Sequence, residues 1–281
     1  MTEATYQEPP GGHALLVYTS EDHRSSALVA WMATGLRRDE KVLCTGTSLA
    51  GFRAVALRLA DEHGLDTDAL LASGQLRLET LDDYYPPEGQ EAVVVAALDE
   101  GYDGVRMTVP AAEALTRMTP AAYDDIEALM EGICRRYPVA SLCQYDSEVV
   151  RDRLAPSLAH HMIVTDEVAT VTVVDGARWT DGRRRAAMRV ALEGEFDLVN
   201  ADLVRGVLSQ AVALVPPGGA ISVDLEAVRF LSLTTVRVLT GTTEELRAGG
   251  GLVELRGAGP HVVNLLHLLD LDHVQGIRLQ E

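Results

Sequence analysis

The sequence predicts an α/β protein of two domains: a larger front domain with a doubly wound, mainly parallel sheet, and a smaller α/β domain behind it. Three observations point there. Short apolar strand-like runs alternate with helical patterns of about ten residues or more, the mark of parallel strands joined by crossover helices. The chain has 281 residues, more than one domain usually holds. Residues 175–185 (DGARWTDGRRR) interrupt the pattern with two Asp-Gly pairs, an arginine cluster and no periodicity.

Residues 1–12 are expected to form a flexible tail ending in a Pro-Pro-Gly-Gly breaker. Ala14–Tyr18 reads as a buried strand, and residues 27–36 as a helix with Leu28, Trp31, Met32 and Leu36 on one face. Strands follow at 41–45, 75–80, 104–109 and 139–145, separated by helices at 49–60, 91–100 and 121–136. Thr119-Pro120 is the start signal of the last of these helices. Residues 164–174 alternate as one more strand, so 169–187 is expected to be strand and linker.

The second domain, residues 188–281, opens with a strand at 188–192 and a Gly-Glu-Phe-Asp corner at 194–197. Asn200 is a candidate N-cap for a helix whose stripe is Leu203, Val204, Val207, Leu208, Ala211, Val212 and Val215. Pro216-Pro-Gly-Gly219 stops it. In the next strand Ile221, Val223 and Leu225 face one way, Ser222 and Asp224 the other. Ser232 can cap a helix reaching about Arg247, closed by Gly249-Gly-Gly251. A strand at 252–255 and a helix opened by Pro260 complete the order.

Taken together, Gly-Glu-Phe-Asp, Ile-Ser-Val-Asp-Leu (221–225), Arg229-Phe-Leu-Ser-Leu-Thr-Thr-Val-Arg-Val-Leu239 and Gly-Ala-Gly-Pro (257–260) resemble a STAS domain, the fold of anti-sigma factor antagonists. The resemblance implies docking to an anti-sigma factor or serine/threonine kinase of histidine-kinase-like ATPase fold, with Glu195, Asp197, Ser232, Leu233, Thr234 and Arg237 as partner contacts. The family's phosphoacceptor motif Asp-Ser-Ser-Gly falls on Ser232-Leu233-Thr234-Thr235, so the acceptor position is an unphosphorylatable leucine. Thr234, with Ser232 and Thr235 beside it, is the candidate acceptor; constitutive docking is the other reading, and plain helix capping by Ser232 and Thr234 the third. A hydroxyl at a helix N-terminus suits an incoming phosphate, which would repel a docked partner. For Glu195 and Asp197 the alternative to partner contact is a corner held by backbone hydrogen bonds.

In the front domain, His13-Ala-Leu-Leu-Val-Tyr18, Gly35-Leu36, Glu40-Lys-Val-Leu43, Leu142-Cys-Gln-Tyr-Asp146 and His160-His161 resemble a MEDS domain, a sensory domain of methanogen and methylotroph regulators, over residues 13–168. The resemblance implies a RecA/KaiC-type core without its phosphate loop, and sensing of a small organic molecule. Ligands of parallel sheets gather beyond the strands' carboxyl ends, here residues 18–22, 45–47, 80, 110 and 143–146. His13, Tyr18, Cys143, Tyr145, Asp146 and His161 are the candidate ligand contacts. Each has a plainer reading: Cys143 as an inert small hydrophobe, the tyrosines as strand-end aromatics, His160-His161 as a core pair or helix end. The loop at 19–26 lacks glycine and carries two carboxylates, which argues against a polyphosphate.

Composition narrows the function further. Formal charge is −18, and residues 1–175 hold 29 acids against 13 bases, so nucleic acid is not an expected partner. Lys41 is the only lysine, no Walker A spacing surrounds it, and a Schiff-base enzyme would have to use it. No apolar run approaches the roughly 20 residues that span a bilayer. Cys44, Cys134 and Cys143 suit a reducing cytoplasm. The scattered histidines and cysteines lack metal-type spacing, so neither metal nor cofactor is expected. The expectation is a bacterial cytoplasmic, non-enzymatic partner-switching protein acting on transcription, with homo-oligomerisation open. The alternatives are a small-molecule hydrolase or transferase using Cys143 or Asp146, with Cys143 and His161 as a formal nucleophile pair, and a non-catalytic scaffold subunit of a signalling complex.

Overall fold

The computed structural model describes residues 12–46, 48–148, 157–158, 160–161, 163–180 and 183–280, so the expected tail and Thr47 lie outside the described residues, apart from Gly12. The chain divides into two compact units between His161 and Met162. The fold is mixed α/β in both.

The first unit carries five parallel strands in the order β1 (His13–Tyr18), β5 (Val139–Asp146), β4 (Gly104–Pro110), β2 (Glu40–Cys44), β3 (Leu76–Leu78). Long helices connect them: α1 (Glu21–Arg37), α2 (Leu49–His63), α5 (Gln90–Asp99) and α7 (Pro120–Arg136), with shorter α3 (Thr67–Ser73), α4 (Leu81–Tyr84) and α6 (Ala111–Ala114) between them. Strand β4 is buried along its whole length, as a strand covered on both faces must be. Starts are set by side-chain caps. Ser20, Ser48, Asp66 and Thr80 each accept a backbone N–H three residues on. Thr119 does the same one residue before Pro120, as the sequence predicts.

Strand β5 divides the unit's chemistry. Register places Leu15 opposite Cys143 and Leu16 opposite Gln144. Successive residues of a strand point to opposite faces. Cys143 therefore meets α7, while Gln144 meets α1. On the α1 face Arg106 is 1 % exposed; its guanidinium pairs with Glu40, donates to the Trp31 carbonyl at 2.7 Å and lies 4.9 Å from the Trp31 ring centre. Lys41 is equally buried and paired with Glu100.

In the second unit the sheet runs β6 (Ile163–Thr165), β7 (Ala169–Thr180), β8 (Arg183–Phe196), β9 (Ala220–Leu231), β10 (Leu252–Arg256), β11 (Ile277–Gln280). The β6–β7 and β7–β8 pairs are antiparallel, the remainder parallel. Helices α8 (Ala201–Leu214), α9 (Leu233–Ala248) and α10 (Pro260–Leu268) complete it. Of residues 169–187, expected as strand and linker, 169–180 and 183–187 run in the two arms of the long β7–β8 hairpin. The strand expected to end at Leu225 continues to Leu231 beside β8, and the register shifts by one residue after Ala191 and again after Gly194, the extra residues lying in β9.

Gly194 sits at the second of these shifts. Its φ is +102°, and a Cβ there would stand 2.0 Å from the Val168 carbonyl oxygen. Asn200 is the N-cap residue of α8, as expected, but its side chain makes no capping hydrogen bond. Its amide instead accepts from Asp197 N at 3.0 Å and donates to the Glu195 carbonyl at 2.9 Å, which fastens the corner.

Candidate functional site

Four buried side chains from four separate segments converge in the first unit. His13 opens β1, Cys143 lies within β5, Glu127 comes from the middle of α7, and His161 closes the unit. All four are almost fully buried, and their ligand-type atoms lie within 4.8 Å of one another. Glu127 Oε2 is 3.0 Å from His13 Nε2 and 3.1 Å from His161 Nε2. Cys143 Sγ is 3.3 Å from His13 Nε2 and 3.4 Å from Glu127 Oε1. The two imidazole rings are 4.0 Å apart.

Backbone carbonyls orient both rings. His13 Nδ1 lies 3.1 Å from the His160 carbonyl oxygen, and His161 Nδ1 lies 2.7 Å from that of Ser157. A carbonyl only accepts, so each Nδ1 carries a proton, and a ring in its neutral form would turn an Nε2 lone pair inward. His161 Nε2 is close to Glu127 yet lacks hydrogen-bond alignment with any partner among the described residues. Tyrosines wall the cluster. Tyr145 accepts from the Ser157 hydroxyl at 2.6 Å, and Tyr84 and Tyr123 are buried nearby. Burial raises all three phenols, with the Cys143 and Glu127 charges adding to it.

Burial pushes the Cys143 thiol well up, and the Glu127 charge pushes it further. Burial likewise lowers His13, reinforced by His161. For Glu127 burial works upward, but the two histidines outweigh it and hold the carboxyl well below its usual range. The two directions compete, since that pull needs charge on an imidazole and burial withholds it from His13. Burial thus favours the neutral form of His13, whereas Glu127 is held toward its ionised form by the histidines and against burial. A carboxylate is left in a dry interior, and such a charge needs compensation.

The expected crevice at the strands' carboxyl ends is a separate feature on the α1 face. A small concavity there is lined by Arg24, Leu28, Cys44, Thr45, Phe52, Val55, Thr108, Pro110 and Gln144. Arg24 donates to Gln144 Oε1 at 2.7 Å, and Gln144 donates to Thr108 Oγ1 at 2.7 Å. Of the six candidate contacts, Tyr18 and Asp146 end their strands here; Tyr18 lies 5.8 Å from the Arg24 guanidinium, and Asp146 accepts the Glu148 N–H in a turn. His13, Cys143, Tyr145 and His161 belong instead to the α7 face. That corrects their expected place in one crevice, because strand alternation turns Cys143 and Tyr145 away from it.

Glu127 was not among the residues singled out from the sequence. Its signal was there: it occupies the buried stripe of α7 with Tyr123, Met130 and Ile133, where an acid is out of place. Gln144 lies within the Leu142–Asp146 motif without being one of the candidate contacts, and Arg24 belongs to no motif.

At the second unit's partner face, Ser232 caps α9 by accepting from Thr235 N at 3.3 Å. Thr235 is fully buried, and its hydroxyl donates to the Phe196 carbonyl. It is thereby removed as a candidate phosphoacceptor. Ser232 and Thr234 are half-buried; Leu233 and Arg237 are exposed. Asp197 accepts from Val199 N at 2.7 Å and Asn200 N at 3.4 Å, an Asx corner of the kind foreseen as its alternative role. Glu195 faces Arg229 at 3.5 Å in an exposed pair.

A model of the methanogen/methylotroph, DcmR sensory (MEDS) domain matches residues 12–165. The chain belongs to the MEDS family. A second model, the Mlab STAS domain, matches residues 179–280, so the chain joins a MEDS domain to a STAS domain. No curated protein matches. Among solved structures, an anti-sigma factor antagonist from Mycobacterium paratuberculosis is 28 % identical, covering 38 % of this chain and 85 % of its own, with a TM-score of 0.30. A KaiC-like protein from Pyrococcus horikoshii OT3 is 10 % identical over 65 % of this chain and 79 % of its own (TM-score 0.41). The flagellar accessory protein FlaH from Methanocaldococcus jannaschii is likewise 10 % identical, over 65 % and 78 % (TM-score 0.40). Among the described residues of this MEDS–STAS chain, no helix is long and apolar enough to cross a membrane.

Proposed function

We propose that this chain is a non-enzymatic bacterial signalling protein of the cytoplasm, an anti-sigma factor antagonist-like partner switch. Its MEDS domain senses a small molecule, and its STAS domain docks on an anti-sigma factor or serine/threonine kinase of histidine-kinase-like ATPase fold. The observation that carries this is an apolar surface at one end of the STAS domain. Leu198 (74 % exposed), Val199 (84 %), Phe230 (50 %) and Leu233 (52 %) all lie around the corner and the start of α9. Phe230 pairs with Glu195, and Ser232 N donates to the Phe196 carbonyl at 2.8 Å, so the two segments are adjacent. Exposed apolar side chains collected beside charged Glu195, Arg229 and Arg237 are what a protein interface presents.

The non-enzymatic reading is supported by Cys143. A thiol raised by burial and by a neighbouring carboxylate is a poor nucleophile. Thr234 remains the candidate phosphoacceptor; a phosphate on it would add about −1.5 to −2 charges beside Leu233 and weaken docking.

The test is affinity capture with the full chain against candidate anti-sigma kinases, with Leu233→Asp in parallel. Binding by the parent chain and its loss in Leu233→Asp is the expected result. Equal capture by both would remove this surface from the mechanism. Incubation of the bound kinase with ATP, followed by peptide mapping, distinguishes phosphate on Thr234 from constitutive docking.

A further inference from the structure

We propose that His13, Glu127, Cys143 and His161 form a binding site for one divalent transition-metal ion of the zinc type, built into the core of the MEDS domain. The inference stands on the first unit alone and does not depend on partner switching.

Geometry is the first argument. Zinc holds nitrogen, oxygen and sulfur ligands at about 2.0–2.3 Å in a tetrahedron, whose ligand-to-ligand edges are roughly 3.3–3.7 Å. Here the edges from Glu127 to His13 and His161 are 3.0 and 3.1 Å, and those from Cys143 to His13 and Glu127 are 3.3 and 3.4 Å. An outward shift of a few tenths of an ångström would seat an ion among them.

Orientation is the second. A histidine ligand almost always donates its other N–H to a carbonyl or carboxylate, which fixes the tautomer and aims the lone pair. Both rings do so here through Nδ1, to the carbonyls of His160 and Ser157. His161 Nε2, buried and without an aligned hydrogen bond, is left pointing into the cluster.

Charge is the third. Two neutral imidazoles, one carboxylate and one thiolate total −2, which a dication cancels. Without an ion, a buried carboxylate faces a thiol and two imidazoles with little to neutralise it, an expensive arrangement in a dry interior. Binding balances simply: four metal–ligand bonds form, the Cys143 S–H bond breaks heterolytically, its proton passes to solvent, and nothing is oxidised or reduced. The ligand set fills four positions, as in a closed structural or regulatory site. Soft sulfur with imidazole favours zinc over magnesium or calcium.

The experiment uses the full chain, purified without chelator and dialysed, with metal content measured by elemental analysis. After stripping with a chelator, the protein is titrated with cobalt(II), whose tetrahedral ligand-field bands and thiolate charge-transfer band report geometry and sulfur ligation. The expected result is one equivalent per chain, a thiolate band lost in Cys143→Ser, and cobalt affinity lowered by about tenfold or more in that variant and in His161→Gln. Circular dichroism identifies variants that fail to fold; Glu127→Gln and His161→Gln then replace Cys143→Ser. Cys44→Ala should leave the band in place. Absence of stoichiometric metal both as purified and on titration of folded protein would overturn the proposal. So would unchanged binding in folded Cys143→Ser and His161→Gln, or loss of binding only in Asp272→Asn, which lies in the exposed Asp270, Asp272, His273 group.

Discussion

The Thr235 hydroxyl donates to the Phe196 carbonyl oxygen at 3.4 Å, joining the first turn of α9 to the end of β8 across 39 positions of sequence. The same hydroxyl lies 3.2 Å from Ser232 Oγ, so cap and corner form one network.

Replacing Thr235 by valine keeps the volume and deletes this bond. The expected cost is about 1 kcal/mol, the usual net worth of one intramolecular hydrogen bond. Ser232→Ala should cost about 1 kcal/mol through the lost cap. Urea unfolding of the full chain, followed through the transition of the STAS domain, measures both. Because the two residues share a network, the double variant should cost less than the two singles added together.

Gly194→Ala should be more severe. A left-handed φ combined with a 2.0 Å approach to the Val168 carbonyl oxygen leaves no room for the methyl group. The expected loss is about 2 kcal/mol or more, from strain and displaced backbone. A substitution that barely moved the urea midpoint would mean that the backbone around Gly194 relaxes freely.

Arg106 offers a third test. It satisfies Glu40 and the Trp31 carbonyl at once while lying over the Trp31 ring. Lysine has one ammonium and no planar fork, so Arg106→Lys should destabilise by about 1–3 kcal/mol despite keeping the charge. Thermal or urea unfolding of the MEDS domain reports it.

The thiols supply a pH prediction. Burial lifts Cys44 to about 12, and burial with the Glu131 charge lifts Cys134 to about 12. At about pH 8 roughly one in ten thousand of either thiol is thiolate, so alkylation of native protein should be slow. Since the raised thiols stay protonated, their reactivity should climb about tenfold per pH unit until near 12, unless unfolding intervenes. Mass spectrometry of iodoacetamide-treated protein, native against denatured, reads this. Rapid labelling of native Cys44 would contradict its burial.

Much of the fold was legible because its strands and helices carry clean apolar periods. The stripe Leu203, Val204, Val207, Leu208 and Ala211 is buried as α8, and Ser232 and Thr119 cap where expected. The β7–β8 hairpin was not, because Asp-Gly pairs and consecutive arginines read as irregular chain while the pairing partner lies in the same uninformative segment. Asn200 illustrates a local rule overruled by tertiary contacts: its amide serves the corner and leaves the helix end without it. The candidate site was half legible. His13, Cys143 and His161 stood out as residue types, but their meeting point depends on which face of β5 each approaches. Glu127 carried only a weak signal, a single acid within the apolar stripe of its helix.

Consecutive residues of β5 serve two different chambers. Cys143 belongs to the histidine–carboxylate cluster under α7, and Gln144 to the Arg24–Thr108 relay under α1. They are one peptide unit apart and share a backbone that cannot shift for one without shifting for the other. A displacement of β5 itself would therefore move side chains on both faces of the sheet.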